Sequence, residues 1–312
     1  MRTDNIAHAL SLIIAQEQQD SQVEINVGNK LWAVAFSANG EYLLSGNDSG
    51  VQVWRVVDGE HLATIKARRV LCLAVSRDGR WIAARTWRDD MFVWDAVTHE
   101  KVLSQWEDHH IINGVDFSPD SARLVSASFA GTATIWELAT RKQIQILRHR
   151  HWVMAAKYSP RGDRIATATP NSVRVWDSSD GRLLVDVSVT VTPFFNTGLL
   201  WFNNYLFVVS NNKIKQLEAS TGSPVSEWPV PDSNSYSCIA LPKHGEFIAY
   251  STQRTITFWH TATHTQLAFI QHTRDILSIA VSPGDQFLAI LGGDGKITIK
   301  SLSCITVSTM SR

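Results

Sequence analysis

The side chains able to do chemistry gather most densely at Arg148-His149-Arg150-His151-Trp152, with a second imidazole pair at His109-His110 and further cations at Arg68-Arg69 and Arg88. Imidazoles two residues apart share a face only on extended chain, and no cysteine or carboxylate motif beside them completes a tetrahedral ligand set, so no metal site is expected. The sequence has no Gly-x-Ser-x-Gly elbow, no phosphate-binding glycine loop and no His-Glu-x-x-His helix. With no acid/base pair in view, neither an enzyme activity nor a cofactor is expected. What these residue types do supply is recognition. Arg offers paired donors to a carboxylate or phosphate, and Trp offers a large rigid contact area.

Composition narrows the partner. The 29 Lys and Arg balance the 29 Asp and Glu, leaving no formal net charge. That balance argues against a sequence-independent nucleic-acid binder, which needs a dominant basic face. Three cysteines are an odd number and make a disulfide framework unexpected. No run of 18 apolar residues is present to cross a membrane. Ala7 to Ala15 is a short apolar stretch, but Asp4, Asn5 and His8 interrupt a signal-peptide pattern, so cytoplasm or nucleus is the expected compartment.

The elements that must carry these residues are announced by tryptophan. Trp54, Trp94, Trp136, Trp176 and Trp259 each end a short β-branched or apolar run, as in Val51-Gln52-Val53-Trp54. The steps are 40, 42 and 40 residues, and the remaining gap of 83 splits into 41 and 42 if Leu217 holds a degenerate Trp position. One further step of 41 reaches Lys300. A second landmark runs in parallel. Phe36-Ser37-Ala38-Asn39-Gly40 recurs at Val75 to Gly79, Phe117 to Ser121 and Tyr158 to Gly162, weakens at Leu200 to Asn204, then returns at Leu241 to Gly245 and Val281 to Asp285. These are strand-joining turns, in which Pro presets φ and Gly, Asn or Asp accepts the left-handed position. A period in the low forties with four strand-like runs per period is the pattern of a β-propeller blade, and seven turns with seven Trp positions give seven blades. Cys72 and Cys238 occupy the same place in two repeats, where others carry Ala33, Gly114, Ala155 or Ser278, and read as small packing residues of the innermost strand.

The turn followed by a strand ending in Trp-Asp, at Trp94-Asp95 and Trp176-Asp177, resembles the WD40-repeat family over about residues 22 to 312. The resemblance implies an all-β, seven-bladed WD40 β-propeller. It also implies a blade-internal network of Asp, His, Ser and Trp, mostly eroded here. Phe129-Ala130 stands where the family tends to have Asp, and blades 5 and 7 lack the Trp, so blades of uneven stability are expected. The repeats are similar to those of fungal NTPase-associated WD40 proteins.

In the WD40 pattern, the loop before the innermost strand and the hairpin between the second and third strands open onto one face. Carried onto this sequence, the first kind of loop holds Arg68-Arg69, His109-His110, Arg148 to Trp152, Phe194-Phe195, Tyr236 and Arg274. The second holds Trp87-Arg88, Phe129, Arg254 and Asp294. The resemblance thereby sets Arg68, Arg69, Trp87, Arg88, His109, Phe129, Arg148, Arg150 and Trp152 on one arc of blades 2 to 4 as candidate partner-binding residues. Trp87 and Phe129 stand out because a hairpin tip favours Asp, Asn or Gly. Two roles stay open: a His at this place in the family usually serves the internal network, which His110 fits, and Trp152 fits either core or surface.

Register indicates how the ring closes. Counted back from Leu31 as from Val70, Gln22 to Val27 aligns with His61 to Lys66 on an outermost strand, and Val23, Ile25 and Val27 alternate with polar residues. The chain then divides into an N-terminal helical extension or linker at 1–21 and a propeller at 22–312 whose blade 7 is closed by strand 22–27. Cys304 to Met310 is also strand-like and either competes for that edge or remains a loose tail. Within 1–21, Ile6, Leu10, Ile13 and Ile14 share one helical face, with Thr3 or Asp4 as a cap. This short helix packs on a blade edge, trails from a neighbouring domain or binds a partner.

A non-catalytic protein–protein interaction scaffold follows, binding an acidic or phosphorylated peptide or protein segment on an Arg/aromatic face. It is expected to be a monomeric ring within a larger complex, without nucleic-acid or membrane partners. Two alternatives remain. One is a substrate-recognition subunit of a ubiquitin ligase, although the Trp-Asp-x-Arg adaptor motif is missing, since Ala96-Val97 and Ser178-Ser179 follow the two Trp-Asp pairs. The other is the sensor domain of a larger NTPase-linked signalling assembly, with residues 1 to 20 left from the junction.

Overall fold

The computed structural model describes residues 22–28, 30–87, 91–105, 111–192, 198–231 and 238–302. The short strand-like runs pair as antiparallel sheets of four strands each, and seven such sheets form the blades. Blade 1 runs through Leu31–Phe36, Tyr42–Asn47, Gly50–Arg55 and His61–Lys66 from the axis outwards, and the next five blades follow the same order. The chain is therefore an all-β, seven-bladed propeller. The helix expected within residues 1–21 lies outside the described residues, as does the strand-like run Cys304 to Met310.

The turns joining the first two strands share one device. In six of them the last residue takes a positive φ, at Gly40, Gly79, Ser121, Gly162, Gly245 and Asp285, whereas in the shorter blade 5 turn it is the first of two, Asn203. At Gly162 a Cβ would also come within 3.2 Å of Pro119 in the preceding turn, so two constraints meet there. Burial follows the pattern of the repeat. The second strand of each blade is covered on both faces and reads as nearly continuous apolar sequence, as in Trp81-Ile82-Ala83-Ala84. The outermost strands alternate, with one buried residue at Ile65, Leu147, Trp228 or Ile270. Apolar clusters bridge neighbouring blades, so no blade completes its core alone.

Gln22–Asn26 forms the outer strand of blade 7, pairing antiparallel with Lys296–Ser301 in the register Gln22↔Lys300 to Asn26↔Lys296. Val27 N donates to Gly295 O at 3.1 Å just beyond the last pair. Ile25 is buried with Leu291, Ile297 and Ile299 of blade 7 and with Leu43 and Trp54 of blade 1. Gly59, in the outer turn of blade 1, lies close enough that a Cβ would meet Val23 and Ile25 at 3.0 Å. The first described strand thus locks the last blade to the first.

The indole network is uneven from blade to blade. Trp54 donates to Ser45, Trp136 to Ser126 and Trp176 to Thr167, at 2.9, 2.9 and 2.8 Å. At the matching place, two residues beyond the partner of the Trp position, blades 2, 5, 6 and 7 carry Ala84, Val208, Tyr250 and Ile290. Trp259 of blade 6 turns instead to Thr257 at 3.0 Å. Blade 5, unlike any of blades 1 to 4, lacks both the indole and its acceptor, having Leu217 and Val208 at the two places. Local opening is cheapest where packing and hydrogen bonds are fewest. Backbone hydrogen exchange is therefore expected to be faster in blade 5 than in blades 1 to 4, and uniform protection around the ring would contradict this.

Cys72 and Cys238 are buried thiols of two innermost strands. Burial raises both thiol pKa values, that of Cys238 to about 12, which keeps them as inert packing groups.

Candidate functional site

Backbone hydrogen bonds tie the two kinds of loop together on one face. Trp87 N donates to Arg69 O at 2.9 Å, Phe129 N to Ile111 O at 2.8 Å and Val153 N to Ser128 O at 2.9 Å. The connection from Trp87 to Arg69 recurs from Gly293 N to Asp275 O at 2.7 Å on the far side of the ring.

On blade 2, Trp87 stands 59% exposed. The Arg69 guanidinium lies 4.7 Å from its ring centroid and bonds through Nε to Asp48 Oδ1 at 3.0 Å. Arg69 therefore props up Trp87 from within the protein. Arg68 is exposed beside it. At the seam of blades 3 and 4, Phe129 and Trp152 meet edge to face at 5.4 Å, both largely exposed, with Arg148 and Arg150 exposed nearby in sequence. Trp152 is thus a surface residue. Asn113 Nδ2 donates to Val153 O at 2.9 Å, and Gly131, at φ 78°, receives His149 N on its carbonyl oxygen at 2.8 Å, fixing the loop that carries Trp152. Arg88 and His109 lie outside the described residues, as do His110, Phe194-Phe195 and Tyr236.

A repeated clasp sets this seam apart. Asp48 in the blade 1 hairpin pairs with Arg69 in the loop entering blade 2, 21 residues on, at 3.0 Å. Arg254 in the blade 6 hairpin pairs with Asp275 entering blade 7, also 21 residues on and at 3.0 Å. At the seam of blades 3 and 4 the corresponding places, counted from the inner-strand positions Cys72, Ser278 and Ala155, hold Phe129 and Trp152. A ring pair replaces the ion pair there, and among the described residues Arg150, two residues before Trp152, has no ion pair. An uncompensated guanidinium beside two exposed rings is what a carboxylate or phosphate with an apolar neighbour would complete.

Arg254 is committed to its clasp, and Asp294 accepts from Lys296 N at 3.2 Å as a turn cap. Arg274 donates its backbone N–H to His272 Nδ1 at 3.2 Å. Arg254 thus ties two loops together, and the other two stabilise their own turns. Sequence reasoning missed Ile111, which is 38% exposed and bonded through its backbone to Phe129. The signal was the pair Ile111-Ile112, because two successive residues of an extended chain point to opposite faces.

His149 does not join the surface. Its Nε2 is 2.8 Å from Thr167 Oγ1, which also accepts from the Trp176 indole, and its ring packs on Trp176 at 5.1 Å. Burial, followed by the nearby Arg174, lowers its pKa from 6.5 to about 4. The unfolded chain then takes up a proton below pH 6.5 that the folded chain refuses until about pH 4. The stability this residue confers is complete above that window and lost as pH falls through it, roughly 2 kcal/mol of it by pH 5. Denaturant midpoints at pH 7 and pH 5 are expected to fall further apart in the wild type than in His149→Gln. Equal drops would contradict the buried-imidazole assignment.

The model for the WD domain, G-beta repeat matches residues 23–55, 100–137, 141–177 and 264–299. The chain is a WD40-repeat protein. Each match starts on an outer strand and continues into the next blade, so the first of them spans the strand that closes the ring. This WD40 chain is 21% identical over 276 residues to the transcriptional corepressor LEUNIG_HOMOLOG of Arabidopsis thaliana, covering 75% of the chain and 35% of that protein. It is 29% identical over 163 residues to apoptotic protease-activating factor 1 of Rattus norvegicus, covering 48% of the chain and 12% of that protein. It thus spans about a third of the former and about an eighth of the latter. Among solved structures, the β-propeller domain of Cps50 (Swd1) from Myceliophteria thermophila superposes with a TM-score of 0.77 at 16% identity, over 90% of this chain and 98% of that one. That likeness concerns the fold. No helix among the described residues is long and apolar enough to cross a membrane.

Proposed function

We propose that this WD40 propeller is a non-catalytic interaction platform that binds an acidic or phosphorylated protein segment on the Arg/aromatic arc of blades 2 to 4. The observation that carries the reading is the blade 3–4 seam, where the ion pair of the clasps in blades 1 and 6 gives way to the exposed ring pair Phe129 and Trp152, with Arg150 exposed two residues before Trp152 and in no ion pair among the described residues. A ligand carboxylate or phosphate pairs with Arg150, and an adjacent apolar side chain packs against the rings. Arg148 and Arg68 extend the positive rim, and Trp87 extends the aromatic surface toward blade 2.

A second reading, in which the propeller is the recognition module of a longer assembly, is favoured by the length of its relatives, of which this chain covers 35% and 12% in the two cases above. The two readings share one binding face. Affinity capture with the intact protein beside an Arg68→Ala/Arg88→Ala/Trp152→Ala variant, read by mass spectrometry, tests them together. Acidic or phosphorylated partners are expected to be retained by the intact protein and lost by the variant. Identical partner sets from both would remove the arc from the account.

A further inference from the structure

The opposite face of the ring carries an apolar groove that the proposed binding arc does not use. It lies between blades 1 and 2, has a volume of about 470 Å³, and is lined by Tyr42, Leu44, Leu62, Ile82, Ala96 and Val97. Its position is set by the turns that join first to second strands, since Ser37 to Asn39 and Asp78-Gly79 also border it. Tyr42, Leu62 and Val97 are among the exposed large apolar residues of the molecule, Val97 at 85%. Single exposed apolar residues are ordinary, but three converging on one groove mark a surface meant to be covered.

The chain itself leads there. Gln22 begins the outer strand of blade 7 opposite Lys300, at the end of the strand pair away from the Gly292 to Lys296 hairpin, so Gln22, to which residues 1–21 are joined, lies on the groove side. Val23 and Ile25 of that strand lie against Gly59 in the outer turn of blade 1, and two residues before Gly59 stands Val57, 76% exposed. Val57 thus adds an exposed apolar residue to the blade 1 turn that adjoins the entry strand. The 21 residues before Gln22 include Ile6, Leu10, Ile13 and Ile14, which share one face at helical spacing. A linker of seven residues reaches about 23 Å and a nine-residue helix adds about 13 Å, enough to pass one blade.

We infer that the segment Thr3 to Ile14 docks on the groove between blades 1 and 2, with Ile6, Leu10, Ile13 and Ile14 against Tyr42, Leu62 and Val97. The occupant is intramolecular, because a tether of this length holds the segment at high effective concentration over the groove. The docked segment covers the apolar surface of this face and leaves the Arg/aromatic face open.

Disulfide trapping in the full chain tests this. In a Cys304→Ser background, Ile13→Cys is combined either with Val97→Cys in the groove or with Val225→Cys, an exposed site on the outer strand of blade 5, and bond formation is followed after adding oxidised glutathione. Trapping at Val97→Cys is expected to be intramolecular, in a monomeric protein, and at least about ten-fold faster than at Val225→Cys. Equal rates at the two sites, or no bond at either, would overturn the inference. A bond that forms only between two chains would overturn it in favour of a second copy as the occupant.

Discussion

Deleting residues 1–27 is expected to lower the melting temperature and expose the ring to aggregation, whereas deleting 1–20 leaves the ring closed and costs only a small fraction of that loss. The longer deletion removes Gln22–Asn26, the outer strand of blade 7, and with it the burial of Ile25 between blades 7 and 1. Burial of one such side chain is worth about 1.5–3 kcal/mol, so with Val23 and Val27 the loss is on the order of 3–5 kcal/mol, comparable to the whole margin of many folded domains. It also bares the hydrogen-bonding edge of Lys296–Ser301, a template for pairing with another chain. Thermal melts with light scattering on both truncations check this. Equal stability of the two would mean that residues 303–312 close the ring instead.

Truncating an aromatic anchor of the arc is expected to weaken ligand binding without unfolding the propeller. Trp87→Ala or Trp152→Ala should each cost at least about 1–2 kcal/mol of binding, the effect expected for an aromatic at the centre of a contact surface. Arg148→Ala, at the rim, should mainly alter the salt dependence of binding. Both tryptophans are about half exposed or more, so neither change should shift folding stability by more than roughly half a kcal/mol. Titration calorimetry of a captured partner at two salt concentrations, with melts as a folding control, reads both quantities. Unchanged affinity in both tryptophan variants would move the site elsewhere, and a large loss of stability in Trp87→Ala would make that residue structural.

The blades were legible in the sequence because they repeat. Trp54 and Trp136 sit at one register on strands of one length, and a seven-fold pattern survives the loss of any single member, such as Leu217. The face was harder to read because its details depend on pairs of residues in neighbouring blades. Nothing around Arg69 alone reveals that its guanidinium is bonded to Asp48, and only the recurrence of the 21-residue spacing at Arg254 and Asp275 exposes the clasp. His149 and His151 looked alike as loop imidazoles, yet one turns inward to Thr167 and the other is exposed. Loop residues have no hydrophobic period to settle their direction, so side-chain orientation there emerges only from packing. Ile111 shows the converse, an apolar residue left outside because its neighbour Ile112 takes the core position.

The central claim, that the Arg/aromatic arc is where this propeller meets its partner, is tested most directly by hydroxyl-radical footprinting of the intact chain alone and with a captured partner. Protection is expected at Trp87, Phe129 and Trp152, with Tyr42 and Val97 on the opposite face unchanged. Protection confined to that opposite face, or none at the three aromatic residues, would contradict it.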